Sequence, residues 1–99
     1  MGGERVERRL AAVLAADIVA YSRLIGQDEA GTLSRLRALR RESIDPNIAA
    51  HHGRMVKTTG DGFLAEFSSS VDALRCACDL QARVPEYSKG APPDLHIEL

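Results

Sequence analysis

Three side chains stand out as able to do chemistry: Asp17, Asp61 and Lys57. Asp17 interrupts a run at residues 10–19 that is otherwise apolar. An ionised carboxylate inside such a run is costly unless a cation, a hydrogen-bond donor or a metal offsets its desolvation. The plainer alternative is that Asp17 ends a strand and accepts backbone N–H bonds from the following turn. Asp61 stands between Gly60 and Gly62 at the tip of a hairpin signal, where Asp is common simply because it suits turns. If the two acids meet in space, they repel unless a divalent cation sits between them, and hard oxygen ligands suit magnesium or manganese. Lys57 lies four residues before Asp61, beside Thr58 and Thr59, and alternation would send it out with Met55 and Thr59. A lysine on a strand is ordinarily a solvated edge residue.

The elements that must position these residues can be read from periodicity. The near-continuous apolar character of residues 10–19 predicts a strand covered on both faces. Residues 21–28 read as a polar connection containing Gly26. A helical pattern runs from about Glu29 to Glu42, with Leu33, Leu36 and Leu39 on one side and Arg35, Arg37, Arg40 and Arg41 on the rest. Pro46 suits the first turn of a second short helix capped by Asp45 and ended by Gly53 after His51 and His52. Residues 54–59 and 63–67 read as strands joined through Gly60, Asp61 and Gly62, with the glycines supplying positive φ. Ser69 or Ser70 can cap a helix whose apolar stripe is Val71, Leu74, Ala77 and Cys78. Asp72, Arg75, Asp79 and Arg83 would form an ion-pair ladder on its other face. A loop with Gly90, Pro92 and Pro93 leads to a last strand at residues 95–99. The predicted order, β-α-β-β-α-β, is the split arrangement of ferredoxin-like α+β domains.

Composition narrows the class of function. Ninety-nine residues make one domain at most, and hydrophobic and charged fractions of 44% and 27% are those of a globular protein. Thirteen basic and fourteen acidic side chains give a net charge of −1, so no global field draws the chain to a nucleic acid polymer or a membrane. No apolar run approaches the roughly 20 residues of a membrane span. Arg5, Arg8 and Arg9 before an apolar stretch make only a weak leader signal. Cys76 and Cys78, two apart in a helical pattern, point in different directions and read as reduced core or near-core thiols, which favours a cytoplasmic setting. The basic stretch 35–41 reads as a solvated face or a contact for a partner domain. His51 and His52 are assigned to no metal.

Two motifs in order carry a resemblance. Ala-Val-Leu-Ala-Ala-Asp-Ile-Val-Ala-Tyr-Ser-Arg-Leu at 12–24 and Lys-Thr-Thr-Gly-Asp-Gly-Phe-Leu-Ala-Glu-Phe at 57–67 resemble the opening of class III adenylate and guanylate cyclase catalytic domains, specifically the bacterial adenylate cyclase type. The helix near residues 70–82 fits the same pattern. The resemblance implies that Asp17 and Asp61, with the carbonyl of Ile18, hold two Mg²⁺ or Mn²⁺ ions. It implies that the turn Ile18, Val19, Ala20, Tyr21 and Ser22 offers backbone N–H groups to a triphosphate, and that Lys57 reads the purine. A lysine donates and cannot accept, so it suits adenine N1 and not the N1–H of guanine. The implied reaction is attack of the ribose 3′-oxygen on the α-phosphorus of ATP, yielding cyclic AMP and pyrophosphate, with a second cyclase domain as partner in a homodimer or heterodimer of an intracellular signalling protein.

The family's asparagine, arginine and second base-reading residue fall in a half that follows position 99, and the aspartates and lysine of one site come from different domains. The resemblance therefore implies that residues 1–99 are a partial catalytic domain, with 1–8 flexible, and that this chain alone has little or no activity, since loss of a charge-stabilising arginine costs on the order of 10³ to 10⁵ in phosphoryl transfer. Two other readings stand beside it. One is a non-catalytic nucleotide-binding or dimerisation module; the other is an unrelated ferredoxin-like interaction domain whose acids are turn residues.

Overall fold

The computed structural model describes residues 12–99; the expectations placed on residues 1–8 and on the first residues of the opening apolar run lie outside them. Three strands form one antiparallel sheet: β1 (Ala12–Asp17), β2 (Gly53–Thr58) and β3 (Gly62–Phe67), in the order β1-β3-β2. The helices are α1 (Tyr21–Gln27), α2 (Glu29–Leu39), α3 (Asp45–Ala50) and α4 (Ser70–Arg83). Short 3₁₀ turns at Val84–Ser88 and Pro93–Leu95 follow α4. This is an α+β domain with helices on one face of the sheet. Among the described residues no helix is long and apolar enough to cross a membrane.

The core lies between the sheet and the helices. Phe63, Ala65 and Phe67 alternate onto one face of the central strand and are buried, as successive strand residues must point to opposite faces. Leu36, Leu39, Ile44 and Ile48 close over them from α2 and α3, and Ala73, Cys76 and Leu80 from α4. Ala12, Leu14 and Ala16 of β1 join this face, whereas Val13 is 52% exposed on the other. The strand is thus half-exposed and alternating, not covered on both sides as its composition suggests. Its partner register, not its hydropathy, decides which residues are inside.

Several local expectations are corrected. Residues 21–27 form a helix because Leu24 is fully buried and its carbonyl is engaged by the buried Thr32 hydroxyl at 3.2 Å. Asp28, 3.0 Å from the Gly31 N–H, caps α2. Asp45 caps nothing: α2 runs into α3 through a π-helical turn, Arg40–Ile44, and Ile44 before it is itself helical. A widened turn accommodates the missing N–H of Pro46 without breaking the rod. On α4, Ser69 is the cap, but Val71 and Leu74 are 54% and 66% exposed and Cys78 is exposed. Rotation of the helix by about one residue puts Ala73, Cys76 and Leu80 inside instead. Asp79 and Asp72 do not form a ladder with arginines; they meet His51 (2.8 Å) and His52 (3.7 Å) across the chain. The last strand is not formed as a ladder. Pro93–Leu95 turn tightly, and the extended residues beyond make one sheet-like bond, Val19 N–H to the Glu98 carbonyl at 2.9 Å.

The helix does not run on to end at Gly53: His52 is the left-handed residue after α3, with φ of 63°. Gly53 is instead the first residue of β2, paired with Phe67. A Cβ at this position would lie 2.3 Å from the Phe67 ring. Gly53→Ala should displace that ring and lower stability by about 1–3 kcal/mol, read as a reduced denaturant midpoint at unchanged slope. A midpoint equal to that of the parent chain would contradict the packing described.

The two thiols make a second test. Cys76 is fully buried, and burial, with the nearby Asp79 charge adding to it, pushes its thiol above the usual range. Only the thiolate attacks disulfide reagents. A chromogenic disulfide reagent should therefore titrate Cys78 in the folded chain and Cys76 only after denaturation; two thiols reacting equally fast in the folded chain would refute the orientation of α4.

Candidate active site at the end of the sheet

The candidate site is built where β1 leaves the sheet and β3 enters it. Asp17, the last residue of β1, pairs with Gly62, the first of β3. One step further, the Ile18 N–H donates to the Asp61 carbonyl at 2.7 Å. Two acids distant in sequence are thereby set on adjoining chain segments about 4.8 Å apart. Strict alternation would turn Asp61 to the face opposite Asp17, but Asp61 belongs to the turn and not to the ladder, since β3 begins at Gly62. Both carboxylates are exposed. Thr59 Oγ1 donates to Asp61 Oδ1 at 3.0 Å and also lies 3.3 Å from the Gly62 carbonyl.

Gly62 shows how closely Asp17 is held. A Cβ there would lie 2.5 Å from Asp17 Oδ1 and 2.3 Å from the Ala16 carbonyl. The hairpin glycines thus serve a different purpose from the one expected: neither Gly60 nor Gly62 has positive φ, and Gly62 is a glycine because the Asp17 carboxylate and the neighbouring strand occupy the space of a side chain. Gly60 lies under the Tyr21 hydroxyl, 3.5 Å from where its Cβ would be. Two exposed carboxylates on backbone segments joined at the Ile18 peptide offer hard oxygen donors of the kind a divalent cation prefers.

The turn after β1 is narrower as an anion site than its five residues suggest. The N–H groups of Ile18 and Val19 are spent on the carbonyls of Asp61 and Glu98. Those of Ala20, Tyr21 and Ser22 precede the first helical donor, Leu24, which bonds the Ala20 carbonyl at 3.1 Å. Such leading amides lack intrahelical partners. Ala20 is left-handed, with φ of 53°, and this sharp turn lets α1 start directly above the strand end.

Lys57 is exposed, but a register shift in β2 changes its direction. Met55 pairs with Ala65 and Lys57 with Leu64, so two steps on β2 oppose one on β3. This bulge puts Lys57 on the open face with Leu64, and not on the face of Met55, correcting the simple alternation. Asp17 also belongs to the open face. It pairs with Gly62 while Lys57 pairs with Leu64 across the other edge of β3, so two strand spacings and two residues separate them, about 12 Å. The chain therefore joins the backbone segments that carry the two acids and leaves the lysine apart.

One contributor was not anticipated from the sequence. Arg40, read as part of a solvated basic face, reaches the hairpin and donates through Nη2 to the Thr59 carbonyl at 2.7 Å. A cleft of about 420 Å³ lined by Tyr21, Arg37, Arg40, Asp45 and the start of the hairpin turn lies beside it. A smaller apolar cavity of about 270 Å³ separates the end of β1 from Leu80 and Leu99.

No protein-family model matches the chain. A protein of Rhizobium meliloti (strain 1021) named "Putative adenylate cyclase 3" is 46% identical over 99 residues, all of this chain and 17% of that protein. A solved structure, an adenylate/guanylate cyclase/hydrolase from Silicibacter pomeroyi, superimposes with a TM-score of 0.75 at 46% identity, over 90% of this chain and 51% of the other. The chain thus spans well under two thirds of either relative. Likeness in sequence and in fold points the same way as the two motifs and supports a class III nucleotidyl cyclase domain.

Proposed function

We propose that this domain supplies the metal-binding half of an ATP-cyclising site, converting ATP to cyclic AMP and pyrophosphate together with a second cyclase domain. The observation that carries the reading is the pairing of Asp17 with Gly62 and of the Ile18 N–H with the Asp61 carbonyl, which sets two carboxylates at one sheet end. In this reading Asp17, Asp61 and the Ile18 carbonyl hold two Mg²⁺ or Mn²⁺ ions. When bound, such ions lower the pKa of the 3′-hydroxyl and neutralise charge on the phosphates. The protein's own part is placement. Asp17 and Asp61 fix where cations and phosphates lie, and the free amides of Ala20, Tyr21 and Ser22 face the triphosphate from the start of α1. No protein nucleophile is needed.

Lys57 decides the base. Its ammonium donates to adenine N1 and finds no acceptor at the N1–H of guanine, which favours ATP over GTP. Its distance of about 12 Å from Asp17, on the same open face, supports a purine held across a domain interface and not beside the chain's own acids. The open face, with Val13 exposed beside the Arg54–Glu66 ion pair, is the surface available to that second domain. ATP as substrate agrees with a cytoplasmic setting.

Cyclic AMP formation should be measured with manganese and ATP, for this chain alone and mixed with a separately made C-terminal half of a related cyclase. Activity is expected in the mixture only, and Asp17→Ala or Asp61→Ala should abolish it, by about 10³-fold or more. Metal-dependent nucleotide binding without turnover in any mixture would favour a non-catalytic module; neither binding nor turnover would end the catalytic reading.

In the same mixture, Lys57→Glu should reverse the preference between ATP and GTP, because a carboxylate accepts from guanine N1–H and repels adenine N1. An unchanged ratio of the two kcat/KM values would remove Lys57 from base recognition.

A further inference from the structure

We infer that Arg40 is a positioning residue for Asp61, acting through the neck of the β2–β3 hairpin. The inference rests on the metal-site reading above. Arg40 opens the π-helical turn between α2 and α3, and its Nη2 lies 2.7 Å from the Thr59 carbonyl and 3.5 Å from the Gly62 carbonyl. These two carbonyls flank the tip, Gly60 and Asp61. Thr59 in turn closes the hairpin, its N–H donating to the Gly62 carbonyl at 2.9 Å, and its hydroxyl donates to Asp61 Oδ1 at 3.0 Å. A continuous polar path therefore runs from the helix layer to the carboxylate: guanidinium, Thr59 peptide, Thr59 hydroxyl, Asp61.

Two features make this path matter. The tip is held by polar contacts more than by packing, since Thr58, Thr59, Gly60 and Asp61 are all exposed and the nearest atom to a Cβ at Gly60 is the Tyr21 hydroxyl at 3.5 Å. Both carbonyls lie within reach of the one Nη2, whose two N–H donors can serve them together, with the Thr59 carbonyl much the nearer. Bonds from a charged donor are stronger than neutral ones. Arg40 sits on the helix side of the sheet, so it fixes the hairpin tip without occupying the open face on which the substrate and second domain are proposed to lie.

The test uses the full chain, with Arg40→Met, Arg40→Lys, and Asp17→Asn and Asp61→Asn as controls. Amide hydrogen exchange without metal reads the hairpin, and Mn²⁺ titration followed by electron paramagnetic resonance reads the site. Arg40→Met should speed exchange of the Thr59 amide by about tenfold or more relative to amides of α4, and weaken Mn²⁺ binding by about tenfold. Arg40→Lys should recover part of both. Equal acceleration of every amide, or a local acceleration with Mn²⁺ affinity unchanged, would overturn the positioning role. If Asp17→Asn and Asp61→Asn leave Mn²⁺ binding unaltered, the metal-site reading fails instead, and the Thr59 exchange rate alone then decides whether Arg40 holds the hairpin.

Discussion

A single backbone hydrogen bond, from the Ile18 N–H to the Asp61 carbonyl, fastens the exit of β1 to the entrance of β3. The site depends on this join, and the join depends on the core. Phe63, Ala65 and Phe67 on one face of β3, with Leu14 and Ala16 opposite them on β1, admit one register, because a slip of one residue turns every side chain to the wrong face. The same slip would bury Asp17 and expose Ala16. Hydrophobic packing thus sets the place of the carboxylates, although no apolar side chain is given a contact with substrate in the proposed reaction.

The join also carries an electrostatic cost. Two carboxylates on adjoining segments repel, and their exposure at the sheet end lets water moderate this; in the proposed site a cation would gain from both. Gly62 makes the approach possible, since any side chain there would take the space of Asp17 Oδ1 and the Ala16 carbonyl. Gly53 is a glycine for an unrelated reason, the Phe67 ring above it. Both show close contact governing a glycine where backbone freedom might be assumed from the sequence motif.

Much of this was legible in the residues. The strand-turn-strand signal of 54–67, a serine cap at 69 or 70 and the opening strand all have local causes, alternation and turn chemistry, and they formed. Asp17 and Asp61 drew attention because a charge in an apolar run and an acid between two glycines each need an explanation. What escaped has non-local causes. The short helix at 21–27 contains Gly26 and little apolar periodicity, and it is held by Leu24 packing that local pattern does not reveal. The rotation of α4, with Leu74 outward and Cys76 inward, is set by what it packs against, since both stripes have a helical period. Lys57 changed faces through a bulge that alternation cannot foresee. Arg40 looked like its neighbours Arg37 and Arg41, and only the return of the hairpin beneath the helix distinguishes it.

In the proposed site Asp17 and Asp61 bind cations as one unit. Paramagnetic broadening of backbone amides during a Mn²⁺ titration measures this directly. The account predicts that the amides of Ile18 and Gly62 broaden together at the lowest Mn²⁺ concentrations, and that either Asp17→Asn or Asp61→Asn relieves the broadening at both. Broadening of the two amides at different Mn²⁺ concentrations, or persistence at one of them when the other acid is removed, would contradict it.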